Sequence, residues 1–352
     1  MARSGAIGLD IGTTEVRAAE LHFAGAGASR QATLVRYASC PLPPGAVRDG
    51  EVEDPSAVSA AIRQLWSTGK FGSRDVQIGV GNQRVVVREL DVPWMALPQV
   101  RAALPFQVQE LLPMPVDDAL MDFYPTGELD GPQGHLLHGM FVAATRDTVT
   151  ANVMAVEGAG LRVQMVDLNA FALLRAMAHG ELAQRTVAFV EIGARISTVI
   201  ISAQGTPRFV RMLPSGGQTV TDAVASAVGC SAMEAENLKR SVGVGFAVGA
   251  DLVAAAEAVN GVVRGLVEAI RNTFVYYAGN NPGAAVELVV LTGGGAHLPG
   301  LGQYLSSASR IAVTLGDPLA TLRQARAGQH DSLASESSRI AVPLGLAWGV
   351  AA

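Results

Sequence analysis

Two short segments pair an acid with a glycine in the same way. In Gly8-Leu-Asp10-Ile-Gly12 and Phe189-Val-Glu191-Ile-Gly193 an apolar run ends on the acid, a glycine follows, and a second strand-like run begins at Val16 or Ser197. A carboxylate at such a hairpin tip stands beside backbone N–H groups that glycine leaves open to a ligand. This arrangement suits a metal-bound phosphate, because Mg²⁺ is commonly held by one or two carboxylates plus phosphate oxygens and water. Asp10 and Glu191 are therefore the candidate metal-facing and catalytic carboxylates, with Gly12, Thr13, Thr14 and Gly193 as a phosphate cradle. Taken singly, either hairpin reads better as an ordinary β-turn. The internal repeat gives the pair its weight.

Two further segments could complete such a site. Leu291-Thr-Gly293-Gly294-Gly295-Ala-His297-Leu-Pro-Gly300 places three glycines directly after an apolar strand, where a flat ring or a sugar can approach the backbone. A plain strand-to-helix connection is the alternative, and His297 either stacks on a base or sits on a surface loop. Pro214-Ser-Gly216-Gly217 leads into helical sequence carrying Glu236, Lys239 and Arg240. Glu236 and Lys239 share a helix face, suited to ribose and adenine edges or to a solvated ion pair. Asp167 is the one candidate for a general base in phosphoryl transfer. His135 and His138 have no third ligand nearby in the sequence, which argues against metal. Neither G-x-x-x-x-G-K-[ST] nor G-x-G-x-x-G occurs, so P-loop and dinucleotide-binding readings lack their fingerprints.

The elements that must position these residues follow from hydrophobic periodicity. Strands are expected over 6–9, 16–21, 33–37, 76–80 and 85–90, with a helix over 55–66. A helix over 98–112, strands over 120–124 and 136–144 joined at the Asp130-Gly-Pro132 turn, and a helix over 147–157 form an inserted unit. Strands over 163–167, 187–192, 197–202, 208–213 and 286–291 resume the first pattern. This divides the chain into a first lobe (1–92, completed by 162–185 and 325–352), an inserted subdomain (93–161) and a second lobe (186–324, mostly helical over 216–280). Trp94, Phe106 and Met114 are expected to pack the insert, with a peptide groove as the alternative, and Cys40 and Cys230 to be small buried residues.

The chain has 352 residues, enough for two lobes, and a formal net charge of −5 with no basic cluster, which excludes a nucleic-acid partner. Although 49% of residues are hydrophobic, no run approaches the roughly 20 apolar residues of a spanning helix. The first residues reach Asp10 too soon for a signal peptide. Two distant cysteines without a CxxC pattern fit a reducing compartment. A cytoplasmic location is expected.

The four segments stand in the order and spacing of the actin, Hsp70 and sugar kinase superfamily. Within it, GLDIGTTEVRAAEL, LPFQVQELLPMPVDDALMDFYP, AENLKR and VVLTGGGAHLPGL make the chain resemble the PilM family of type IV pilus assembly, over essentially its whole length. The resemblance implies an α/β, bilobed actin-like ATPase fold, a duplicated ribonuclease H-like core with an inserted α+β subdomain. It implies ATP and Mg²⁺ in the interlobe cleft. It also implies docking of the cytoplasmic N-terminal tail of the inner-membrane protein PilN in a first-lobe groove beside the insert. Through PilN would come contact with PilO and the pilus motor ATPases, on the inner face of the membrane. Arg17 stands where many relatives carry a phosphate-reaching lysine, and Glu191 where the superfamily usually has aspartate, so weak or absent hydrolysis is expected. Two other functions stay open: a small-molecule kinase, and an FtsA-like polymerising protein, whose usual C-terminal membrane helix is missing here.

Overall fold

The computed structural model describes residues 4–25, 31–131, 134–324, 333 and 337–349. The first acid–glycine segment joins β1 (Ser4–Ile11) to β2 (Glu15–Ala24), which turns back into β3 (Gln31–Pro41). After a small hairpin, β4 (Val47–Arg48) and β5 (Glu51–Val52), comes α1 (Pro55–Gly69). Its start follows from Asp54, whose side chain accepts the Ala57 N–H, and from Pro55 at the first helical position. Its buried Val58, Ile62 and Leu65 recur at helical spacing.

Next come β6 (Asp75–Val80), β7 (Val86–Pro93), α2 (Leu97–Gln107), β8 (Ala119–Gly131), β9 (Gly134–Thr145), α3 (Arg146–Gly158), β10 (Arg162–Leu168) and α4 (Asn169–Met177). The second half runs β11 (Thr186–Ile192), β12 (Ser197–Ala203), β13 (Thr206–Leu213), α5 (Gly217–Val228), α6 (Ala232–Val242) and α7 (Val253–Asn280). It continues with β14 (Leu288–Thr292), α8 (Leu301–Ser309), β15 (Ala312–Leu315), the short β16 (Arg323–Gln324) and α9 (Ala341–Trp348).

The two large sheets repeat one topology. The first has the order β10-β6-β1-β2-β3-β16 and the second β13-β12-β11-β14-β15. In each, a central strand pairs antiparallel with its hairpin partner on one side and parallel with a later strand on the other. The repeat therefore extends from a motif to the whole sheet, giving a bilobed α/β architecture. One hydrophobic core joins the lobes: Leu21 and Leu34 of the first sheet, Phe171 and Leu173 of α4, Leu344 of α9, and Phe189 and Ile200 of the second sheet. The crossing is close because glycine is present. A Cβ on Gly345 would lie 1.7 Å from the Ala172 carbonyl oxygen, and one on Gly8 would lie 2.0 Å from that of Pro343.

The third sheet, ordered β7-β9-β8, is the inserted one. One of its faces packs on α2 through Phe123, Phe141, Leu104 and Val92. The other, with Met140 and Ala144, joins the main core beside Phe171. This sheet starts at Val86, upstream of residue 93, because Val86, Leu90 and Val92 pack with the insert's own core. Conversely, α3 packs into the first lobe, where Ala155 and Val156 lie against Ile62 and Leu65.

Several local expectations differ from the structure. The helix of the insert ends at Gln107 and is followed by a 3-10 turn, Gln109–Leu111. Pro105 supplies no N–H to the preceding turn, which weakens the helix there. Trp94 and Phe106 lie outside the insert's core, 57% and 86% exposed, with Trp94 held on the sheet surface by its N–H on Glu128. Cys40 is buried, whereas Cys230 is only half-buried. Pro132 of the expected turn and most of 325–336 lie outside the described residues. Among the described residues no helix is long and apolar enough to cross a membrane.

Candidate functional site

The two hairpin tips are superimposable in their bonding. Gly12 N–H donates to the Glu15 carbonyl at 3.0 Å, and Gly193 N–H to that of Ile196 at 3.1 Å. A side chain at either glycine would strike the same acceptor, at 2.9 and 2.6 Å from the Cβ. In the ladder Asp10 lies opposite Arg17 and Glu191 opposite Thr198. Hence the first hairpin places a cation opposite its acid and the second places Thr198 there, while Arg195 at the second tip pairs with Asp222.

Arg17 Nη2 donates to Asp10 Oδ2, and Nη1 donates to the Arg339 carbonyl at 3.2 Å. Burial pulls the Arg17 pKa down, but the charges of Asp10 and then Glu191 outweigh it and hold the group above the usual arginine range. Burial pushes the Glu191 carboxyl up to about 7; Arg17 opposes that shift and Asp10 adds to it. Asp10 and Glu191 thus share this part of the cleft with Arg17, which is tethered to Asp10. That donor set fits a Mg²⁺ completed by phosphate oxygens and water. Among the described residues no group of three His, Cys, Asp or Glu could hold a metal by protein ligands alone.

A polar cavity of about 480 Å³ opens between the lobes, lined by Asp10, Gly12, Thr13, Thr14, Arg17, Glu191 and Gly193. An apolar cavity of about 360 Å³ adjoins it, lined by Val220, Val263, Leu266, Leu298, Pro299 and Leu301, with Gly216 and His297 at its wall. Gly217, Glu236, Lys239, Arg240, Gly294 and Gly295 border both. Gly293 lines neither. It has φ +82°, and a Cβ there would lie 2.5 Å from the Ile192 carbonyl oxygen, so its role is to let the glycine loop pack on the end of β11.

The α6 residues form a network around a buried Lys239, with Glu236 half-buried and Arg240 exposed. Lys239, 8% exposed, donates to Glu236 Oε2 at 2.5 Å, Thr221 Oγ1 at 2.9 Å and the Gly217 carbonyl at 3.1 Å. Arg240 Nε reaches Glu236 Oε1 at 2.8 Å. Burial would raise the Glu236 pKa, but hydrogen bonds from Lys239, Thr221 and Arg240 prevail and bring it down to about 2. The α5 start meets the second hairpin directly, with Gly217 N–H on the Gly193 carbonyl at 2.9 Å. His297 is tied by Nε2 to Ser338 Oγ at 2.6 Å.

One expectation about a single residue needs correction, and two other observations stand beside it. Asp167 lines neither cavity: Arg175 holds one carboxylate oxygen and the Leu168 N–H the other, so it is not placed as a base in the cleft. His135 and His138 each sit against carboxylates, Glu128 and Asp130 for one, Asp91 for the other. Arg339, which sequence reasoning passed over, lines both cavities. Nothing around it in the sequence marks it, since its site partners lie in segments far upstream.

Comparison with known proteins agrees with this architecture. The family model described as "Type IV pilus assembly protein PilM" matches residues 8–349. A chain of a solved PilM–PilN type IV pilus biogenesis complex is similar at 26% identity, with 100% of both chains covered and a TM-score of 0.86. MreB 5 of Spiroplasma citri bound to AMPPNP shares the fold at 12% identity, covering 97% of this chain and 94% of that one, TM-score 0.54. Ethanolamine utilization protein EutJ from Carboxydothermus hydrogenoformans does so at 16% identity, covering 99% and 90%, TM-score 0.52.

Proposed function

This chain belongs to the PilM family of type IV pilus assembly proteins, and on that premise we propose that it is a nucleotide-binding docking platform for the tail of a PilN-like membrane protein. The observation that carries the nucleotide half is the pairing of a polar, charge-bearing cavity with an apolar one across a shared rim. An adenine nucleotide has the same two halves. Its polyphosphate fits between the hairpins, near Gly12, Thr13, Thr14, Gly193 and Arg17. Its ring and ribose fit the apolar side, between Gly294, Gly295 and His297 and the Glu236–Lys239–Arg240 face. Asp10 and Glu191 would hold Mg²⁺, which when bound supplies counter-charge to the phosphates. The fold shared with MreB 5, whose structure is bound to AMPPNP, supports the reading.

For the peptide half, β8 is an edge strand of the inserted sheet and exposes Leu120 and Tyr124. The Tyr124 ring lies 5.2 Å from that of the buried Phe171 on α4, so Leu120 and Tyr124 form an apolar shelf where the insert meets α4. An extended peptide can add to such an edge by main-chain hydrogen bonds and place alternate side chains on the shelf. Anchoring by PilN would bring the protein to the membrane, and contact with the pilus motor ATPases would follow through the same assembly.

One calorimetric experiment separates the halves. ATP with Mg²⁺, and a synthetic PilN tail, are titrated into the wild type, Gly294→Val and Tyr124→Ser. Gly294→Val should lose ATP and keep the peptide, because its side chain enters the ring side of the cleft. Tyr124→Ser should do the reverse. Retention of ATP by Gly294→Val would remove the nucleotide assignment, and retention of the tail by Tyr124→Ser would remove the β8 shelf. The kinase reading loses its base with the pairing of Asp167 to Arg175.

A further inference from the structure

Residues Ser337–Arg339 form a strap that ties the glycine loop of the second lobe to the phosphate hairpin of the first. The Ser338 carbonyl accepts the Gly293 N–H at 2.9 Å and Thr292 Oγ1–H at 2.8 Å, and its hydroxyl meets His297. One residue later, the Arg339 carbonyl accepts Arg17 Nη1, so backbone alone fixes where the Arg339 side chain begins. That side chain runs along the rim shared by the two cavities. A Cβ built on Gly294 would stand 3.3 Å from Arg339 Nε, so the guanidinium lies over the glycine loop.

The four cations of this cleft are not equally occupied. Arg17, Lys239 and Arg240 each hold a carboxylate at hydrogen-bond distance. Among the described residues, the ion pair made by Arg339 is Nη1 to Glu15 Oε1 at 3.9 Å, too long for a hydrogen bond, and the side chain is 34% exposed. Its planar fork of donors is positioned and uncommitted, the state in which a guanidinium best receives a phosphate oxygen.

We propose that Arg339 binds the nucleotide phosphate nearest the sugar, making it a determinant of selectivity for phosphorylated nucleosides over the bare nucleoside. The assignment rests on the nucleotide reading above and concerns a different residue from those that define it. It follows from position: the polyphosphate side lies toward Glu15 and the ring side toward Gly294, and Arg339 stands between them. Ribose hydroxyls at the same place would also accept from a guanidinium, but they carry no charge to select for it.

The test is competition calorimetry with adenosine, AMP, ADP and ATP on the full chain and on Arg339→Gln and Arg339→Lys. Arg339→Gln should weaken AMP, ADP and ATP by roughly 10- to 100-fold, the range of one charge-assisted hydrogen bond, and leave adenosine unchanged. Arg339→Lys should recover part of the loss, since it keeps the charge without the fork. Equal loss for adenosine would mean that the substitution displaces the strap, and unchanged AMP binding would mean no contact; either result overturns the assignment. A wild type that binds none of the four overturns the nucleotide reading itself, which is a distinct result from a wild type whose binding ignores residue 339.

Discussion

At the scale of single residues, the cleft is held by charges whose protonation is set by their neighbours. Glu236 has an ordinary value near 4.5 that the fold brings down to about 2. Its folded value lies below its unfolded one, so its contribution to stability is complete above about pH 4.5 and is lost as pH falls toward 2. Glu236→Gln keeps the shape and removes the charge. Melting curves should therefore place the variant below the wild type at pH 6 to 7, with the gap closing steadily under acid conditions. A gap that stays constant from pH 7 to pH 3 would show that shape, not charge, is what Glu236 contributes. Lys239 depends on the same pair, because an ammonium buried to this degree needs a charged or hydrogen-bonding partner for each donor it turns inward.

At the scale of elements, α9 links the site to the fold. It lies against β1, whose C-terminal end carries Asp10, and against α4, and both approaches depend on glycine. Gly345→Val would drive a branched side chain into the Ala172 carbonyl. Overpacking a tight core costs about 1–3 kcal/mol, and the backbone contact here leaves little room for relief. Urea unfolding of Gly345→Val should show at least that loss, whereas Gly279→Ala on α7, where a Cβ meets nothing within 4 Å, should be neutral or slightly stabilising. Equal stability of the two variants would contradict the close crossing.

At the scale of the whole molecule, two lobes of one topology enclose a cleft, and a third, inserted sheet presents an open edge. In-line hydrolysis needs a positioned water and a group to orient it. Asp167 is committed to Arg175, and in the nucleotide reading Glu191 is taken up by Mg²⁺, so neither is free to orient that water. ATP turnover by the isolated protein should accordingly fall well below about 1 per second, the lower end of ordinary enzyme rates. Phosphate release measured with and without the PilN tail checks this. Brisk hydrolysis without the tail would favour an enzymatic role over a platform. Since α3 packs in the first lobe and β7 belongs to the inserted sheet, excising 93–161 would cut into both cores, which is why surface substitutions are the better probe of docking.

What sequence alone determined was whatever depends on near neighbours. An acid ending an apolar run before a glycine makes the same turn at both places in this chain, so both acid–glycine hairpins, the glycine loop after β14 and the duplication were legible in their local pattern. The joint order of these segments was enough to expect a bilobed fold. Tertiary structure decided what depends on distant packing. Arg17 and Arg339 are 322 residues apart, and no periodicity brings them together. That Lys239 is buried and its partner Glu236 half-buried depended on α5 closing over α6 through Gly217 and Thr221. The exposure of Trp94 and Phe106 was likewise undecidable from their types, because apolar residues serve a core and a surface shelf equally well until neighbouring elements cover them or leave them open.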